Sequence, residues 1–377
     1  MLIKELSAKQ IKDSRGEPTI EVSINSCAAS SPAGKSTGQY ETPSYHKSIA
    51  WNVSAIKNFK EIKSVNINSF NDLKKVESLI KNKFKFKDAK LFGANALFAL
   101  ESAILKALAK SQGLALWQVV NPQAKKVPVP LGNAVGGGLH SHNKNHPTFQ
   151  EFLLIPQGKS AKENFSIVKK VHAALKKQIK AVNMNDEGAW QTSLSEEDVL
   201  AVLSRQKQVR IGLDIASSSF YCDKFYQYGN KFLDSTAQTH FINDLITRYH
   251  LAYVEDPLDE KDFPGFTKIN KSALVCGDDL TATHLSRVKK AAKMHAITAM
   301  IVKPNQNGSL LEVKKICDFC KQHNIKIAVS HRSGETMDNA LADYATAFGA
   351  DLIKCGIATK WREAKLKRLV EIEKQIK

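Results

Sequence analysis

Long hydrophobic runs are missing from this 377-residue chain, and their absence limits the classes of protein to which it can belong. No run of 18 apolar residues occurs, so we expect no membrane span. The N-terminal stretch MLIKELSAKQIKDSRG has no continuous apolar segment of the kind that forms the centre of a signal peptide. We therefore expect a cytoplasmic protein with a globular composition, since 43% of its residues are hydrophobic and 24% are charged.

Cysteine is also scarce, with six residues scattered along the chain. Scattered thiols are typical of a reducing cytoplasm, which agrees with the expected location. Cys317 and Cys320 have the spacing of a redox or metal-binding pair. They lie in the helical run LLEVKKICDFCKQ without a second pair, so we interpret them as helix-packing residues.

Acidic residues are fewer than basic residues: the chain has 37 acidic and 55 basic residues, and its formal net charge is +18. Such a field attracts phosphates and would permit non-specific binding of polyanions. In one segment, KNKFKFKDAK (81–90), lysine alternates with phenylalanine. That pattern fits a nucleic-acid face with stacking aromatics, but a half-buried strand with solvated lysines explains it equally well, and we favour the strand.

The first part of the chain, residues 1–125, is predicted to be a small α+β domain. The segment TIEVSI (19–24) alternates like a strand, and AASSPAGKSTG (28–38) is small, polar and rich in turn residues, which predicts a mobile loop. In GANALFALESAILKALAK, one apolar stripe predicts an amphipathic helix: Leu97, Leu100, Ile104 and Leu108. Strands followed by helices indicate an α+β unit.

Residues 126–377 show a different pattern, in which short apolar runs alternate with helical segments. The runs are FLLIP (152–156), VRIGLD (209–214), LAYVED (251–256), ALVCGDD (273–279), AITAMIVK (296–303), IKIAVSH (325–331) and DLIKCG (351–356). This alternation predicts parallel strands with crossover helices, and the length suits an α/β barrel of about 250 residues. An open, doubly wound sheet fits the same pattern.

Six of these runs stop on a chargeable residue: Asp214, Glu255, Asp278, Lys303, His331 and Lys354. In an α/β barrel the carboxyl ends of the strands meet at one face, and the catalytic loops are built there. The six side chains would then converge in space, which predicts an active site.

The residue types at these ends suggest their chemistry. Three carboxylates that are brought together repel one another, and a hard divalent cation such as Mg²⁺ relieves the repulsion. Zinc fits less well, because neither a second histidine nor a thiolate is spaced with the acids. A lysine in such a cleft is a usable general base, although Lys303 and Lys354 could equally form salt bridges with the acids.

Other polar residues complete the predicted site. Arg332 and Ser333 provide a guanidinium fork and a hydroxyl, which suit a phosphate or a carboxylate. Glu187 lies in the polar loop NMNDEGAWQ, and Glu151 precedes FLLIP. Either glutamate could be a proton donor.

Together these residues resemble the enolase family over nearly the whole chain. The resemblance rests on DSRGEPTIEV (13–22), PAGKSTGQYE (32–41), FGANALFAL (92–100), PVPLGNAVGGGLHS (128–141), QEFLLIP (150–156), NDEGAW (185–190), GLDIASSSFY (212–221), VEDPLDEKDF (254–263), GDDLTATH (277–284), VKPNQNGSL (302–310), SHRSGET (330–336) and IKCGIATKWREAK (353–365). The SHRSGE motif and the ordered series VEDP, GDDLT and KPNQ are the most specific.

The resemblance implies an N-terminal α+β capping domain, a modified (β/α)8 barrel and reversible dehydration of 2-phosphoglycerate. It implies two Mg²⁺ ions: the first bound by Asp214, Glu255 and Asp278, and the second ligated by Ser36 from a closing loop once substrate is present.

The resemblance also implies a role for each remaining residue. Lys303 would abstract the proton alpha to the carboxylate, and Glu187 would help the C3 hydroxyl leave as water. Glu151 and Gln150 would support the acid and the metal network. Arg332 and Ser333 would hold the phosphate, Lys354 would lie near the carboxylate and hydroxyl, and His331 would border the site.

Several positions depart from the family pattern. After GGGLH comes HNKNHPTF (142–149), so His142 and His146 compete with His140, which we select as the site histidine. Ala189 replaces a glycine, and Lys35 adds a charge to the closing loop. Relatives are expected to pair an arginine of the last helix with a strand glutamate across a dimer. Here those positions are Glu371 and Glu21, which predicts a homodimer or higher oligomer with an atypical contact.

Two alternatives to an active enolase stay open at this stage. One is another enzyme of the same superfamily acting on a different acid. The other is a catalytically weak relative that binds polyanions or RNA through its basic surface. Loss of a metal ligand or of the base would favour the second alternative, but every nominated residue is present.

Overall fold

The computed structural model describes residues 1–35, 40–141 and 143–376. Its strands are β1 Leu6–Lys12, β2 Pro18–Ile24, β3 Cys27–Ser30, β4 Val129–Gly136, β5 Glu151–Pro156, β6 Asn183–Met184, β7 Trp190–Gln191, β8 Val209–Asp214, β9 Tyr221–Cys222, β10 Phe225–Tyr228, β11 Lys231–Leu233, β12 Tyr253–Glu255, β13 Leu274–Gly277, β14 Ala299–Val302, β15 Lys326–Ser330 and β16 Leu352–Lys354.

The α-helices are α1 Ile49–Lys57, α2 Leu73–Phe84, α3 Ala94–Gln112, α4 Leu116–Val120, α5 Ala161–Gln178, α6 Glu196–Leu203, α7 Ser235–Tyr249, α8 Phe263–Thr267, α9 Leu285–Lys293, α10 Pro304–Asn307, α11 Leu310–Gln322, α12 Ala340–Ala347 and α13 Lys360–Ile376. Short 3-10 helices occupy Lys60–Ser64, Phe70–Asp72, Ala89–Phe92, Gly138–His140 and Ser217–Phe220.

An antiparallel sheet of three strands, in the order β1-β2-β3, opens the chain and packs on α3. The predicted stripe of α3 is fully buried, because all four of its apolar residues have no exposed surface. The helix ends where Gly113 adopts φ +67°, a left-handed conformation that glycine accepts without steric cost.

A closed barrel of eight strands follows, in the order β4-β5-β8-β12-β13-β14-β15-β16, with β16 pairing back to β4. The predicted α/β barrel is therefore confirmed, and the open sheet is excluded. All seven predicted runs are strands of the barrel. The eighth strand, β4, was not predicted as a strand, because Pro130, Gly132 and Asn133 interrupt its apolar pattern.

One barrel strand departs from the predicted parallel pairing. The strand β5 is antiparallel to both neighbours, β4 and β8. In the described part of the connection between β4 and β5 there is no α-helix, so the chain turns back directly instead of crossing over the sheet.

The barrel interior is filled by its own small cluster of inward-facing side chains: Leu131, Leu153, Tyr253, Cys276, Ala299, Ile301, Ala328 and Leu352. A larger cluster lies between the strands and the surrounding helices and continues into the N-terminal sheet. The interior is thus a packed core, which closes the barrel beneath the carboxyl ends of its strands.

The segment 81–90 does not form the strand that we favoured. Helix α2 continues to Phe84, and Lys85 ends it with φ +59°. The Phe84 and Phe86 rings stack with centroids 5.7 Å apart and belong to an aromatic cluster with Trp51. Both rings are partly buried and pack against the core.

The cysteines are free thiols, and Cys317 and Cys320 are buried in α11. Their helix-packing interpretation is consistent with this position. Among the residues that the structure describes, no helix combines the length and the apolar character that crossing a membrane requires.

Candidate active site

A polar pocket with a cavity volume of about 340 Å³ lies at the carboxyl ends of the barrel strands. The N-terminal part of the chain contributes Gly34, Lys35 and Glu41 to its wall, and the strands and loops of the barrel contribute the rest. Of the residues predicted for the site, this pocket is lined by His140, Gln150, Glu151, Glu187, Asp214, Asp278, Lys303, His331, Arg332, Ser333 and Lys354.

The three predicted metal ligands follow consecutive parallel strands. Asp214 ends β8, Glu255 ends β12 and pairs in register with Asp214, and Asp278 follows β13. Their exposed fractions are 3%, 0% and 8%. Glu255 lies beneath the pocket surface, where Tyr253 Oη donates a hydrogen bond of 2.7 Å to its Oε2. Burial raises the pKa of Glu255 well above its ordinary range, and repulsion from Asp214 adds to the effect, against the attraction of Lys354.

Lys354 neutralises part of this acidic group. Its Nζ lies 2.7 Å from Asp214 Oδ2, 2.8 Å from Glu255 Oε1 and 3.3 Å from Glu151 Oε2. Burial disfavours the ammonium form, but the surrounding carboxylates outweigh burial and raise the pKa of Lys354 well above its ordinary value. Gln150 Nε2 also donates to Asp214 Oδ2, at 3.3 Å.

Lys303 is paired with the third acid. It follows β14, its backbone N–H donates to Thr283 Oγ1 at 3.0 Å, and its Nζ lies 2.5 Å from Asp278 Oδ2. Burial would lower the pKa of Lys303, but the attraction of Asp278 outweighs it and the pKa is raised. The same contact, together with Lys354, lowers the pKa of Asp278 in spite of its burial.

Two glutamates and two histidines lie beside this acidic group, since Glu151 pairs in register with Asp214. Burial raises the pKa of Glu151 well above its ordinary range, against the attraction of Lys354, and repulsion from Glu187 reinforces it. Burial also acts on Glu187, but the nearby His331 and His140 outweigh it and lower its pKa. A hydrogen bond of 3.2 Å from Asn133 Nδ2 to Glu187 Oε2 favours the ionised form as well. Of the two glutamates, Glu151 is therefore the one whose protonated form is favoured.

Two histidines border this pair of glutamates. Burial lowers the pKa of both His140 and His331. His140 Nδ1 lies 3.6 Å from Glu151 Oε1, and His331 Nε2 lies 3.7 Å from Glu187 Oε1. Of the competing histidines, His146 is exposed and contacts the carbonyl of Pro147, whereas His142 lies outside the described residues.

A candidate anion-binding corner, formed by Arg332 and Ser333, lies beside Lys303. Arg332 follows β15, and its Nη2 contacts Glu41 Oε2 at 2.9 Å and Oε1 at 3.2 Å. Gly34 packs against the same guanidinium so closely that a Cβ at this position would overlap Nη2. Ser333 lies next to Arg332 on the pocket wall. Ser36, which was predicted as a metal and substrate ligand, lies outside the described residues.

Sequence reasoning missed three acids. Asp256 and Asp279 are the second acids of the ED and DD pairs, of which only the first members were chosen. Asp256 accepts hydrogen bonds from the backbone N–H groups of Asp278 at 3.0 Å and Asp279 at 2.6 Å, so it orients that loop. Burial, followed by repulsion from Asp278, raises the pKa of Asp279 to about 7. Glu41 was noted only as the last residue of the motif PAGKSTGQYE, and no local sequence pattern predicts its contact with the distant Arg332.

The acidic group fits a hard divalent cation. Its donors are carboxylate oxygens, which Mg²⁺ prefers, and Asp278 Oδ1 is buried without a hydrogen-bond partner among the described residues. A second set, His140, Glu151 and Glu187, has potential donor atoms within 4.8 Å of one another and is the compact group in the described part of the chain. The predicted trio is less compact, since the Lys354 ammonium lies between two of its members.

The fold and the site define an α/β-barrel protein in which acids, lysines and an arginine meet at the carboxyl ends of the strands. Residues 3–120 match the family described as "Enolase, N-terminal domain", and residues 124–377 match "Enolase, C-terminal TIM barrel domain". The chain belongs to the enolase family, and it is an enzyme of the lyase class.

Similar proteins support this assignment over nearly their whole length. The chain is 34% identical to the enolase of Archaeoglobus fulgidus, with 99% of this chain and 97% of that protein covered. It is 32% identical to the enolase of Natronomonas pharaonis, with 99% of each chain covered. It is also 32% identical to the enolase of Methanocorpusculum labreanum, with 98% of each covered.

Proposed function

We propose that this enzyme catalyses the reversible, Mg²⁺-dependent dehydration of 2-phosphoglycerate to phosphoenolpyruvate, the enolase step of glycolysis and gluconeogenesis. The observation that carries the proposal is the arrangement of one pocket. Lys303 with Asp278, the Glu151–Glu187 pair, and Arg332 with Ser333 all line this pocket. Dehydration of a phosphorylated three-carbon acid requires a general base, a general acid and a group that binds the phosphate, and this pocket offers candidates for all three.

Lys303 is the proposed general base. Its amine would remove the weakly acidic proton alpha to the substrate carboxylate, and the electron pair would pass into that carboxylate. Divalent cations stabilise the negative charge that develops there, and a lysine base acting with Mg²⁺ is the chemistry expected of this superfamily. Asp214, Glu255 and Asp278 would hold the first cation, and Ser36 with the substrate would complete the second site. Lys354, at the centre of the acidic group, would pair with the same carboxylate and with the hydroxyl.

The Glu151–Glu187 pair is the proposed acid. The bond between C3 and its hydroxyl oxygen breaks as the new C=C bond forms, and the departing oxygen takes a proton to leave as water. Glu187 would deliver this proton, with Glu151 as the protonated partner that resupplies it. His140 and His331 border the pair, at 3.6 Å from Glu151 Oε1 and 3.7 Å from Glu187 Oε1.

The phosphate would occupy the corner formed by Arg332 and Ser333. Because Glu41 is bonded to Arg332, phosphate binding would compete with this ion pair.

We further propose that the chain divides at residues 125 and 126, so that residues 1–125 cap the barrel of residues 126–377. All the described acids and both lysines are retained, and for this reason we do not favour the weak, polyanion-binding alternative.

The direct test follows the ultraviolet absorbance of the enol phosphate with purified protein, 2-phosphoglycerate and Mg²⁺. We expect turnover that EDTA abolishes and that excess Mg²⁺ restores. Metal-replete protein that produces no enol phosphate would refute the proposal. Turnover of a non-phosphorylated hydroxy acid instead would favour a different member of the superfamily.

A further inference from the structure

A turn near the N-terminus, Asp13 to Glu17, joins β1 to β2 and is held rigidly. Asp13 Oδ1 accepts hydrogen bonds from the backbone N–H groups of Arg15 at 2.8 Å and Glu17 at 3.0 Å. The Asp13 N–H donates to the carbonyl of Glu17 at 2.8 Å, and Gly16 adopts φ +84° between them. The turn therefore presents its side chains in a fixed direction.

This turn packs against the segment 333–335, which includes Ser333 of the anion-binding corner. The Ser14 N–H donates to the Glu335 carbonyl at 2.7 Å, and the Glu335 N–H donates to Ser14 Oγ at 3.0 Å. At Gly334 the approach is so close that a Cβ would overlap Asp13 Oδ2. The two segments, more than 300 residues apart, thus form one rigid unit.

Within this unit the Arg15 guanidinium joins three groups. Its Nε and Nη2 donate to Asp13 Oδ2 at 3.2 and 3.0 Å, and Nη2 also lies 3.3 Å from the Ala33 carbonyl. The remaining nitrogen, Nη1, donates to Ser333 Oγ at 3.1 Å. Only 11% of the Arg15 side chain is exposed, so the contact is well shielded from water.

The direction of the hydrogen bond from Arg15 Nη1 to Ser333 Oγ decides what the Ser333 hydroxyl can do. Arginine has no acceptor, so Ser333 Oγ must accept, and the single hydroxyl proton of Ser333 is left for another partner. Ser333 lines the pocket beside Arg332. We propose that Arg15 is a positioning residue, which fixes the Ser333 hydroxyl as a donor toward the anion in this pocket. The inference rests on the proposed function in that the anion is the substrate phosphate.

A double-mutant cycle with Arg15→Gln and Ser333→Ala tests this inference. The probes are 2-phosphoglycerate, through its KM, and inorganic phosphate, through calorimetric binding to the Mg²⁺-loaded protein. We expect each single variant to raise the KM for 2-phosphoglycerate and the Kd for inorganic phosphate by about tenfold. This is the range of one hydrogen bond to a charged group. The double variant should be no weaker than Ser333→Ala, because Arg15 acts only through that hydroxyl. The kcat should change much less than KM.

Ser14→Ala is the matched control, since it removes a hydrogen bond of the same docked turn without touching Ser333. Its effects on KM should be small and should multiply with those of Ser333→Ala. Arg15→Lys, which keeps the charge, is run through the same cycle in case the glutamine variant does not fold. Independent, multiplying effects of Arg15 and Ser333 would overturn the inference, as would unchanged phosphate affinity in Ser333→Ala. Because phosphate calorimetry needs no turnover, its result stands apart from success or failure of the absorbance assay.

Discussion

The side-chain nitrogen of Lys303 lies 2.5 Å from Oδ2 of Asp278, so the proposed base and a proposed metal ligand form one ion pair. An ammonium in such a pair cannot accept a proton. The raised pKa of Lys303 comes from Asp278, against the effect of burial. Once the Asp278 charge is engaged by a cation, this attraction is weakened and burial favours the neutral amine. Base availability is thereby coupled to occupation of the acidic group.

The first prediction concerns Lys303→Ala. Loss of a general base should lower kcat by roughly 10²–10⁴-fold. Substrate binding should be partly retained, since Arg332 and Ser333 are unaffected. Steady-state rates and exchange of the alpha proton with deuterated solvent measure both quantities. Lys271→Ala, which removes a partly buried lysine outside the pocket, is the control. Near-normal turnover in the Lys303 variant would show that another group is the base.

The second prediction concerns Glu187→Gln. The variant should slow release of water by roughly 10²-fold or more, while exchange of the alpha proton continues at a higher relative rate. The comparison requires deuterium incorporation into 2-phosphoglycerate and formation of enol phosphate in the same reaction. Glu260→Gln changes another glutamate of the same pocket and is the control. It should slow neither release of water nor exchange of the alpha proton to a similar extent. If both processes slow equally, Glu187 does not act as the acid.

A third prediction concerns the divalent cation. A cation that binds the folded protein and not the unfolded chain stabilises the fold, so we expect a hundredfold excess of Mg²⁺ over its Kd to increase the free energy of unfolding by about 2.7 kcal/mol. Asp278→Asn should reduce this gain, whereas Asp318→Asn, on the exposed face of α11, should retain it. Denaturant unfolding with and without Mg²⁺ provides the measurement. Equal stabilisation of both variants would place the cation elsewhere, for example at the group formed by His140, Glu151 and Glu187.

The fourth prediction concerns pH and Glu101, a fully buried residue of α3. Burial, followed by repulsion from Glu77, raises the pKa of Glu101 well above its ordinary value, and its Oε2 accepts from the Leu310 N–H at 2.7 Å. The folded state holds a proton that the unfolded chain releases above its ordinary pKa. The free energy of unfolding therefore falls as pH rises from that value to the folded-state pKa, by at most about 1.4 kcal/mol per pH unit.

Glu101→Gln should flatten this dependence, since glutamine keeps an acceptor for Leu310 and does not titrate. Urea unfolding of both proteins at several pH values between the ordinary carboxyl range and alkaline conditions gives the two slopes. Glu61→Gln, an exposed change in the same part of the chain, should leave the slope nearly unaltered. Parallel profiles for the wild type and the Glu101 variant would show that Glu101 does not titrate differently on folding.

The fifth prediction concerns subunit association. Glu21 is paired with Lys9 at 2.9 Å and Glu371 with Arg368 at 3.1 Å, both within the same chain. Glu371→Arg should strengthen association if Glu21 of a second copy faces it, by about fivefold for an exposed ion pair of ~1 kcal/mol. Sedimentation velocity over a range of concentrations measures this. Asp244→Arg makes the same change in charge on α7, next to Arg248, and should have no such effect. Identical profiles for both variants would reject the contact.

The strand ends were predictable because apolar runs stop abruptly at charged residues, and the barrel brings those ends together. The direction of β5 was not predictable, because apolar periodicity is the same in parallel and antiparallel strands. The partners of the site were also hidden. Arg332 meets Glu41 across 291 positions and Ser333 meets Arg15 across 318, distances at which local patterns carry no information. Asp256 was overlooked because its hydrogen bonds from the backbone N–H groups of Asp278 and Asp279 join the ends of two strands, which no local pattern reveals.

The reversal of β5 decides which end of that strand reaches the chemistry. Glu151 is its first residue, and it stands opposite Asp214, the last residue of β8. In a barrel with eight parallel strands, the opening residue of a six-residue strand would lie about 17 Å away, at the far mouth. A single inverted strand thus places, at the pocket end of this barrel, the carboxyl group of a strand's first residue, which a uniformly parallel barrel could supply only from a loop.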